Sequence, residues 1–420
     1  MKDIPKLEKA GRMKKELVPI LLVCLLMTSY IRIDFAVSAE NGDSTATKYG
    51  VNYFSTHNHY EPYYLSDEEL NRDFGLFRDQ GLEYVTLCAI WKYLEPELGV
   101  YNEVAIDDLE RVCEFASQYG LMVIINFYTM MKNNSWTMPE WLSPRKFEAV
   151  FLNETAREAW LGFLGHVAER LDGQDGIWSW HMMNEPWRRE WACNVTIDEF
   201  LDLWGEMKDV FRAYSDRPVS VRFTVQAFED PDHFNSDPRI YSLFDYLALN
   251  YYEIYCPSEN LTRVVSEAQQ NGCRVVISEF GSNATDDIDQ ANDYKRILGL
   301  FNSLGLVDRI AWMWRADYNS TNPDPPGVGY NLAKDVDGTP RKAFHILQPR
   351  HADVNHNGVV DVFDIYLVAR AWGYELGEPG YNLDADLNDD GLINEHDLSM
   401  LNTQYGDQQT EPLCNRGACC

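Results

Sequence analysis

Hydrophobic residues along this chain gather in eight short continuous runs, and several segments between the runs repeat apolar residues every three or four positions. Continuous apolar runs are typical of strands that are buried on both faces, as in parallel sheets. The pattern predicts strands at residues 49–54, 84–91, 121–128, 178–185, 218–225, 246–252, 274–280 and 309–314.

Helical spacing follows each of the first four predicted strands, at residues 67–80, 106–119, 154–171 and 197–214. Ser66 is a candidate N-cap for the first helix, and Gly81 is suited to end it. Eight strands alternating with helices over about 300 residues predict a (β/α)8 TIM barrel at 49–349. A doubly wound open sheet is the alternative, but no GxGxxG motif follows the first strand.

The composition of the 420 residues suits one large domain and one small one. Hydrophobic residues make up 45% of the chain, which is ample for a large core. The formal net charge of −30 argues against nucleic acid as a partner, because binding to phosphates needs a basic face.

The N-terminus resembles an export signal. Several lysines precede an apolar run at 17–31, and small residues follow at 37–39, so residues 1–39 are predicted to be a signal peptide of a secreted protein. An uncleaved membrane anchor is the alternative. A polar linker is expected at 40–48. Cys256 and Cys273 form one candidate disulfide in an oxidising compartment.

Two of the predicted strands end in a glutamate. Glu185 closes the fourth strand just before Pro186, and Glu279 closes the seventh. Catalytic groups of barrel enzymes lie at the carboxyl ends of the strands, so the two side chains are expected to share one pocket. A retaining glycosidase needs such a pair, one carboxyl as proton donor and one as nucleophile. Capping of a helix or pairing with arginine is the structural alternative for either residue.

The motifs around these glutamates are similar to those of a known group of enzymes. Asn184-Glu185-Pro186 after an apolar strand, with Glu279-Phe280-Gly281 later, resembles clan A of the glycoside hydrolases, and family 5, the cellulase and mannanase family, in particular. The segments at 91–101 and 337–344 resemble the clan's segment after strand two and its closing segment. The resemblance covers about residues 49–347.

The resemblance implies a role for each matching residue. Glu185 would be the acid/base and Glu279 the nucleophile. Asn184 would hydrogen-bond the sugar 2-hydroxyl, and Tyr252 would hydrogen-bond Glu279 and hold it for attack. Trp314 would form the aromatic floor under the sugar at the cleavage point.

Other residues near strand ends are expected to contact substrate. Trp312 competes with Trp314 for the role of aromatic floor, and Trp91, Asn250 and Trp187 are expected to bind sugar. Aromatic residues stack on the apolar faces of sugars at little entropic cost. Several lie after strands two to four and suggest a long cleft and endo action, although simple loop packing is an equal alternative: Tyr93, Trp136, Trp141, Trp187 and Trp191.

Three positions depart from the pattern of family 5. Thr86 stands where the family usually has an arginine in strand two. Asn126-Phe127 stands where a histidine usually ends strand three, and Asn250 replaces the histidine of a His-x-Tyr segment after strand six. These groups normally orient the nucleophile and bind the sugar, so the chain is a remote relative of the family.

Residues 350–407 form a second predicted domain with a duplicated motif. Between 351 and 407 the chain has 12 acidic residues and one Lys or Arg. Two segments place oxygen side chains at loop positions 1, 3, 5, 9 and 12, glycine at 6 and a carbonyl at 7, which is the calcium-loop spacing of an EF-hand. The predicted ligands of two Ca²⁺ ions are Asp353, Asn355, Asn357, Val359, Asp361, Asp364, Asp386, Asn388, Asp390, Leu392, Asn394 and Asp397.

Each loop precedes one predicted helix, at 365–372 and 398–405, and the 33-residue duplication resembles a dockerin domain. That resemblance implies a calcium-dependent fold and a possible cohesin partner. Dockerins contact cohesins through loop positions 10 and 11, which here are Val362-Phe363 and Glu395-His396. A cysteine-containing tail is expected at 408–420.

These patterns favour a secreted retaining hydrolase of a β-linked polysaccharide, such as cellulose or mannan, with no cofactor for catalysis and a calcium-dependent anchoring module. Three alternatives stay open: a non-catalytic carbohydrate-binding or adhesion protein on a barrel scaffold, an exo-acting β-glycosidase, and a protein whose main role lies in the C-terminal module as a scaffold.

Overall fold

A computed structural model describes residues 47–54, 65–129, 137–186, 195–229, 237–315, 328–335, 337–347, 352, 354–355, 359–375, 378–387 and 392–405. The chain divides into two compact units, a barrel and a small C-terminal module. The predicted signal peptide, most of the linker and the cysteine-containing tail lie outside the described residues. The predicted domain boundaries therefore stay predictions.

Eight parallel strands close into a barrel in sequence order, with β1 paired to both β2 and β8. This confirms the predicted (β/α)8 fold over the open-sheet alternative. The strands are β1 (Lys48–Asn52), β2 (Tyr84–Ala89), β3 (Met122–Phe127), β4 (Ile177–Asn184), β5 (Val219–Thr224), β6 (Leu247–Tyr251), β7 (Val275–Phe280) and β8 (Asp308–Ala311).

The barrel's described helices lie between the strands. They are α1 (Asp67–Asp79), α2 (Trp91–Leu94), α3 (Glu103–Gln118), α4 (Ala149–Leu152), α5 (Glu154–Leu171), α6 (Ile197–Tyr214), α7 (Ile240–Leu243), α8 (Ser258–Gln270) and α9 (Asp287–Ser303). Short 3-10 turns occur at Val225–Glu229, Val328–Tyr330 and Phe344–Ile346. No helix among the described residues is long and apolar enough to cross a membrane.

Local signals explain where the helices begin. Ser66 forms a capping box with Glu69 at the start of α1, and Gly81 beyond its end adopts a φ of 80° that suits glycine. Thr196 and Glu199 form a second capping box at the start of α6. The predicted bounds of α5 and α6 coincide with the observed ones, because each helix has a polar cap directly before its apolar repeat.

The continuous apolar strands reflect burial on two sides. On β4, Trp180 stacks on Phe211 of α6, with ring centroids 5.4 Å apart, on the helix side of the barrel. The adjacent residue, His181, is also buried but bonds Arg222 of β5. Strands whose two faces are both enclosed need no alternation with exposed residues.

The candidate disulfide between Cys256 and Cys273 is wrong, because both residues are free thiols. Cys256 precedes α8 and Cys273 follows it. The 13 residues of that helix span roughly 20 Å at 1.5 Å per residue, which is far beyond the reach of a disulfide.

The C-terminal module contains α10 (Val362–Arg370), the 3-10 turn Leu383–Ala385 and α11 (Glu395–Thr403). Its small core joins both repeats, with Val360 and Val368 from the first and Ile393 and Leu401 from the second. Both helices begin three residues before their predicted starts. The cause is capping at loop position 9, where Asp361 and Asn394 accept from backbone N–H groups of the first turn.

Candidate active site

Glu185 lies directly beyond the last residue of β4. Its backbone N–H donates to the carbonyl oxygen of Arg222 over 2.8 Å, which holds the residue against β5. The backbone of Glu185 has a φ of 47°, the left-handed region that side chains with a Cβ rarely adopt. Strained backbone of this kind is common at functional sites, where the surrounding structure holds it in place.

Glu279 lies in β7 and is only 3% exposed. The hydroxyl of Tyr252 donates to its Oε2 atom over 2.9 Å, which is the contact predicted for that tyrosine. Nη1 of Arg222 donates to Oε1 over 2.9 Å and forms a buried ion pair. Both carboxylate oxygens of Glu279 therefore accept a hydrogen bond, and one of the donors carries a positive charge.

Asn250 connects the two glutamates. Its backbone pairs in register with Glu279, while its Nδ2 donates to Oε1 of Glu185 over 2.8 Å. The orientation of this amide is set from behind, because the hydroxyl of Ser278 donates to Asn250 Oδ1 over 2.8 Å. The structure thus brings Glu185 and Glu279 to one site at the carboxyl ends of the strands.

The electrostatics of the pair favour one shared proton. Burial and the neighbouring carboxylate of Glu185 raise the pKa of Glu279 to about 8, against the opposing effects of Arg222 and Tyr252. A single proton therefore remains on the pair near neutral pH. The guanidinium of Arg222 and the hydroxyl of Tyr252 both stabilise the ionised form of Glu279 and so limit the rise in its pKa.

Arg222 is the principal site residue that sequence reasoning missed. It lies on β5, is fully buried, and donates to Glu279 and to three neutral acceptors that are described below. The available signal was a lone charged residue inside an apolar run, Val219–Thr224. A charge in a strand that is buried on both faces needs a buried partner.

Two asparagines lie side by side at the ends of β3 and β4. Asn126 Nδ2 approaches Oδ1 of Asn184 at 3.4 Å, and both residues are almost fully buried. The Oδ1 atom of Asn126 has no hydrogen-bond partner within the described part of the chain. This unsatisfied acceptor stands where the family usually places a histidine, and a hydroxyl group could satisfy it.

The prediction that Trp314 forms the sugar floor is wrong. Its ring is fully buried on the helix side, against Phe77 of α1 and Phe344, with centroids 5.0 and 4.9 Å away. The competing candidate, Trp312, is partly exposed and packs edge-on against Phe54 at 5.0 Å. Trp312 is therefore the remaining candidate for the floor.

The prediction of substrate contact for Trp91 is also wrong. Trp91 is 1% exposed, packs against Trp160 of α5 at 5.0 Å, and donates through Nε1 to Glu95 over 2.6 Å. These contacts turn it away from the lumen. Tyr93 and Trp141 are partly exposed. The remaining loop aromatics of the sequence prediction lie outside the described residues: Trp136, Trp187 and Trp191.

The two loops of the C-terminal module keep their acidic residues inward. Asp364, Asp386 and Asp397 are at most 1% exposed, in a module with a single Lys or Arg between 351 and 407. Asp364 and Asp397 occupy position 12 of their loops and accept from the N–H groups of Asp361 and Asn394, respectively. Buried carboxylates with so little basic charge nearby fit Ca²⁺, a hard cation that prefers oxygen.

The described part of each loop is incomplete as a calcium site. No group of three or more His, Cys, Asp or Glu side chains converges among the described residues. Four of the predicted ligands lie outside them: Asp353, Asn357, Asn388 and Asp390. Asn355, Val359 and Leu392 are described and have the oxygen atoms that the prediction assigns to calcium.

A closed barrel with paired glutamates at the ends of β4 and β7 is the architecture of a glycoside hydrolase. The family model for cellulase (glycosyl hydrolase family 5) matches residues 41–318, and the model for the dockerin type I domain matches residues 351–404. The chain belongs to glycosyl hydrolase family 5 and carries a dockerin type I domain, which confirms both resemblances.

A curated relative is endoglycoceramidase I of Rhodococcus hoagii (strain 103S), which is 27% identical over 153 residues. That match covers 30% of this chain and spans 31% of the relative's length.

Solved structures share the fold at low identity. A GH5_18 protein from Bifidobacterium longum subsp. infantis is 16% identical, with a TM-score of 0.62 over 72% of this chain and 78% of its own. An exo-β-1,4-mannosidase from Opitutaceae bacterium strain TAV5 is 17% identical, with a TM-score of 0.61 over 72% and 58%. An endo-β-1,4-mannanase from Thermotoga petrophila is 14% identical, with a TM-score of 0.56 over 72% and 76%.

Proposed function

We propose that this family 5 hydrolase is a secreted retaining enzyme that cleaves a β-linked polysaccharide by double displacement. Glu279 is the nucleophile and Glu185 the acid/base. The observation that carries this assignment is the pair of donors at Glu279. Glu279 accepts from a guanidinium and a tyrosine hydroxyl, which both support an ionised nucleophile.

In the first step, the Glu279 carboxylate attacks the anomeric carbon and forms a covalent glycosyl ester. The bond from that carbon to the leaving oxygen breaks, and the proton of Glu185 passes to the departing oxygen. In the second step, Glu185 removes a proton from water, the water oxygen attacks the anomeric carbon, and the ester bond to Glu279 breaks. In this mechanism Asn184 hydrogen-bonds the 2-hydroxyl, and Trp312 stacks under the sugar.

The stereochemistry of the first product tests the mechanism directly. Proton NMR during the first minutes of hydrolysis of a β-glycoside should detect the β-anomer before mutarotation, because two inversions give net retention. Initial appearance of the α-anomer would overturn the retaining assignment. Glu279→Gln should abolish turnover of every glycan that the wild type cleaves, and equal turnover would exclude Glu279 as the nucleophile. Absence of turnover by either protein on every glycan would favour the non-catalytic alternative.

The substrate is proposed to be a mannan or a cellulose-like glucan, cleaved within the chain. The endo proposal rests on the loop aromatics, of which Tyr93 and Trp141 are partly exposed. A panel of β-mannan, carboxymethyl cellulose, Manβ1-4GlcNAc and a glycosylceramide separates the candidates. Endo action would lower the viscosity of the polymer well before much reducing sugar appears. Release of monosaccharide alone would favour exo action instead, as in the mannosidase with the similar fold.

The dockerin domain is proposed to bind two Ca²⁺ ions and to attach the enzyme to a cohesin outside the cell. The buried aspartates of the two loops support the calcium sites. The exposed side chain of Phe363, at loop position 11, supports a contact surface. Capture of the full chain on an immobilised type I cohesin should occur with calcium and fail in a chelator. Equal capture under both conditions would contradict the calcium-dependent anchor.

A further inference from the structure

The guanidinium of Arg222 crosses the inside of the barrel from β5 to the opposite wall. Its Nη1 lies 2.8 Å from Oδ1 of Asn52 on β1 and 2.9 Å from Oε1 of Glu279, and its Nη2 lies 3.0 Å from Oγ1 of Thr86 on β2. Asn52 and Thr86 are register partners, so together they form a neutral cradle that receives the guanidinium. Within the described residues, Glu279 is the only carboxylate that pairs with it.

The acceptor on β1 is fixed in one orientation. Asn52 donates through Nδ2 to the carbonyl oxygens of Ser278 and Ala311, each over 3.1 Å. Its Oδ1 must therefore face Arg222. Because both carbonyls belong to strands of the barrel wall, the amide cannot turn over without breaking two buried hydrogen bonds.

A chain of buried hydrogen bonds fixes Arg222 from below. Nε of Arg222 donates to Nδ1 of His181 over 2.7 Å, so the imidazole must be neutral with its proton on Nε2. That Nε2–H lies 2.6 Å from the hydroxyl of Tyr246, which in turn lies 2.6 Å from Oγ of Ser179. The Ser179 hydroxyl donates to the carbonyl oxygen of Pro218 over 2.9 Å and ends the chain.

We propose that Arg222 is the positioning residue of the nucleophile, and that its guanidinium, delivered from β5, replaces the arginine that β2 lacks at Thr86. Its Nη1 orients one oxygen of Glu279 and its charge favours the ionised form of that carboxylate, while Tyr252 orients the other oxygen. This inference rests on the proposed role of Glu279 as nucleophile.

The groups that face Glu279 agree with this role. Glu185 comes from the end of β4, Arg222 from β5, Tyr252 from beyond β6 and Cys88 from β2. Burial raises the pKa of the Cys88 thiol to about 12, so it stays neutral. Arg222 is therefore the one permanent positive charge among these four groups, and it opposes the burial and the Glu185 charge that raise the pKa of Glu279.

The test measures the protonation of Glu279 without requiring turnover. Infrared difference spectra across pH follow the carboxyl band, and its loss in Glu279→Gln assigns it. Arg222→Met should move the midpoint of this titration upward by at least one pH unit. Arg222→Lys keeps the positive charge but lacks the planar guanidinium with its several donors, and should move the midpoint less. An unchanged midpoint in Arg222→Met would overturn the proposal. A shifted midpoint in a protein that cleaves no glycoside would support the charge effect of Arg222 on Glu279 but refute the proposed function, and with it the role of Arg222 in positioning a nucleophile.

A swap variant separates positioning from folding. Arg222→Thr should lower kcat/KM for 2,4-dinitrophenyl β-glycosides about a hundredfold, since misplacing a catalytic group by 1 Å can cost that much. The double variant Thr86→Arg with Arg222→Thr restores a guanidinium from β2, and should recover at least tenfold of the loss together with the original titration midpoint. Recovery of thermal stability without either of these two changes would mean that Arg222 is structural only, and would overturn the proposal.

Discussion

The amide nitrogen of Asn250 lies 2.8 Å from Oε1 of Glu185, although the backbone of Asn250 is paired in register with Glu279 on the adjacent strand. One residue of β6 thus connects the carboxyls contributed by β4 and β7. Tyr252, two positions further on, donates to Oε2 of Glu279 over 2.9 Å. Substitutions of Asn250 and Tyr252 can therefore distinguish the proposed acid from the proposed nucleophile.

Asn250→Ala should impair proton donation selectively. Without the amide, Glu185 loses the contact that orients it, so kcat/KM should fall about tenfold to hundredfold for glycosides with poor leaving groups. The loss should be much smaller for 2,4-dinitrophenyl glycosides, which leave without a proton. Tyr252→Phe is the control, because it touches Glu279 and should slow both substrates alike. A leaving-group dependence shared by both variants would contradict the assignment of Glu185.

The raised pKa of Glu279 predicts a pH-dependent cost in stability. Between its ordinary value of 4.5 and about 8, the folded state binds a proton that the unfolded state does not, so stability must fall as pH rises through this window. The melting temperature of Glu279→Gln minus that of the wild type should therefore increase from pH 4.5 to about pH 8 and stay constant above that pH. Calorimetry over this range measures the difference.

Glu199→Gln supplies a control of opposite sign for that experiment. The backbone and hydroxyl of Thr196 lower the pKa of Glu199, so its carboxylate stabilises the folded state at high pH. This variant should become relatively less stable as pH rises through the acid range, with a small amplitude because Glu199 is exposed. A parallel trend in both variants would show that the effect does not come from the buried pair.

Substitution of Trp312 should affect substrate binding, whereas substitution of Trp314 should affect stability. Trp312→Ala should raise KM or lower kcat/KM with little change in melting temperature, because the ring is partly exposed beside the site. Trp314→Ala should cost about 3–5 kcal/mol of stability, as expected for the loss of a buried tryptophan, and leave KM of the surviving enzyme unchanged. The reverse outcome would restore Trp314 as the sugar floor.

The left-handed backbone conformation of Glu185 should lower the stability of the folded protein. With φ at 47°, a residue with a Cβ is destabilised by roughly 1–2 kcal/mol relative to glycine. Both Glu185→Ala and Glu185→Gly should lose proton donation, but the glycine variant should be more stable than the alanine variant by about 1 kcal/mol in urea unfolding. Equal stability would mean that the backbone relaxes once the carboxyl is removed.

Calcium removal should destabilise one unit of the chain. In calorimetry of the full protein, a chelator should shift or abolish the transition of the C-terminal module and leave the barrel transition in place, because the buried carboxylates of Asp364 and Asp397 then lack a cation. Asp364→Ala should halve the calcium stoichiometry from two ions to one. The exposed Glu378→Ala is a control that should bind both ions. A chelator-insensitive module would refute the calcium sites.

The strand order and the two glutamates could be predicted from the sequence, because burial on both faces leaves an unbroken apolar run and each of the two acids lies within one residue of the end of its strand. Arg222 could not, since its meaning depends on what faces it across the lumen. A run of apolar residues with one arginine gives no indication that Thr86 and Asn52 form its cradle.

The two tryptophans near β8 show a second limit. Trp312 and Trp314 share the same periodicity and both follow an apolar strand. Only packing against Phe77 and Phe344 places Trp314 on the helix side. In the C-terminal module the loops could be predicted because ligand spacing is local, but the helix starts were displaced by the caps at Asp361 and Asn394.

The reach of Arg222 across the lumen changes how catalytic competence should be judged among distant relatives. In a closed barrel, the centre is within range of long side chains from several walls, so an essential charge can move to a different strand while its location in space is preserved. A sequence alignment shows threonine at position 86, where the family usually has arginine, and this chain would therefore be classified as inactive. Screening for inactive homologues by missing motif letters would therefore discard working enzymes, and the missing charge should first be sought on the facing strands.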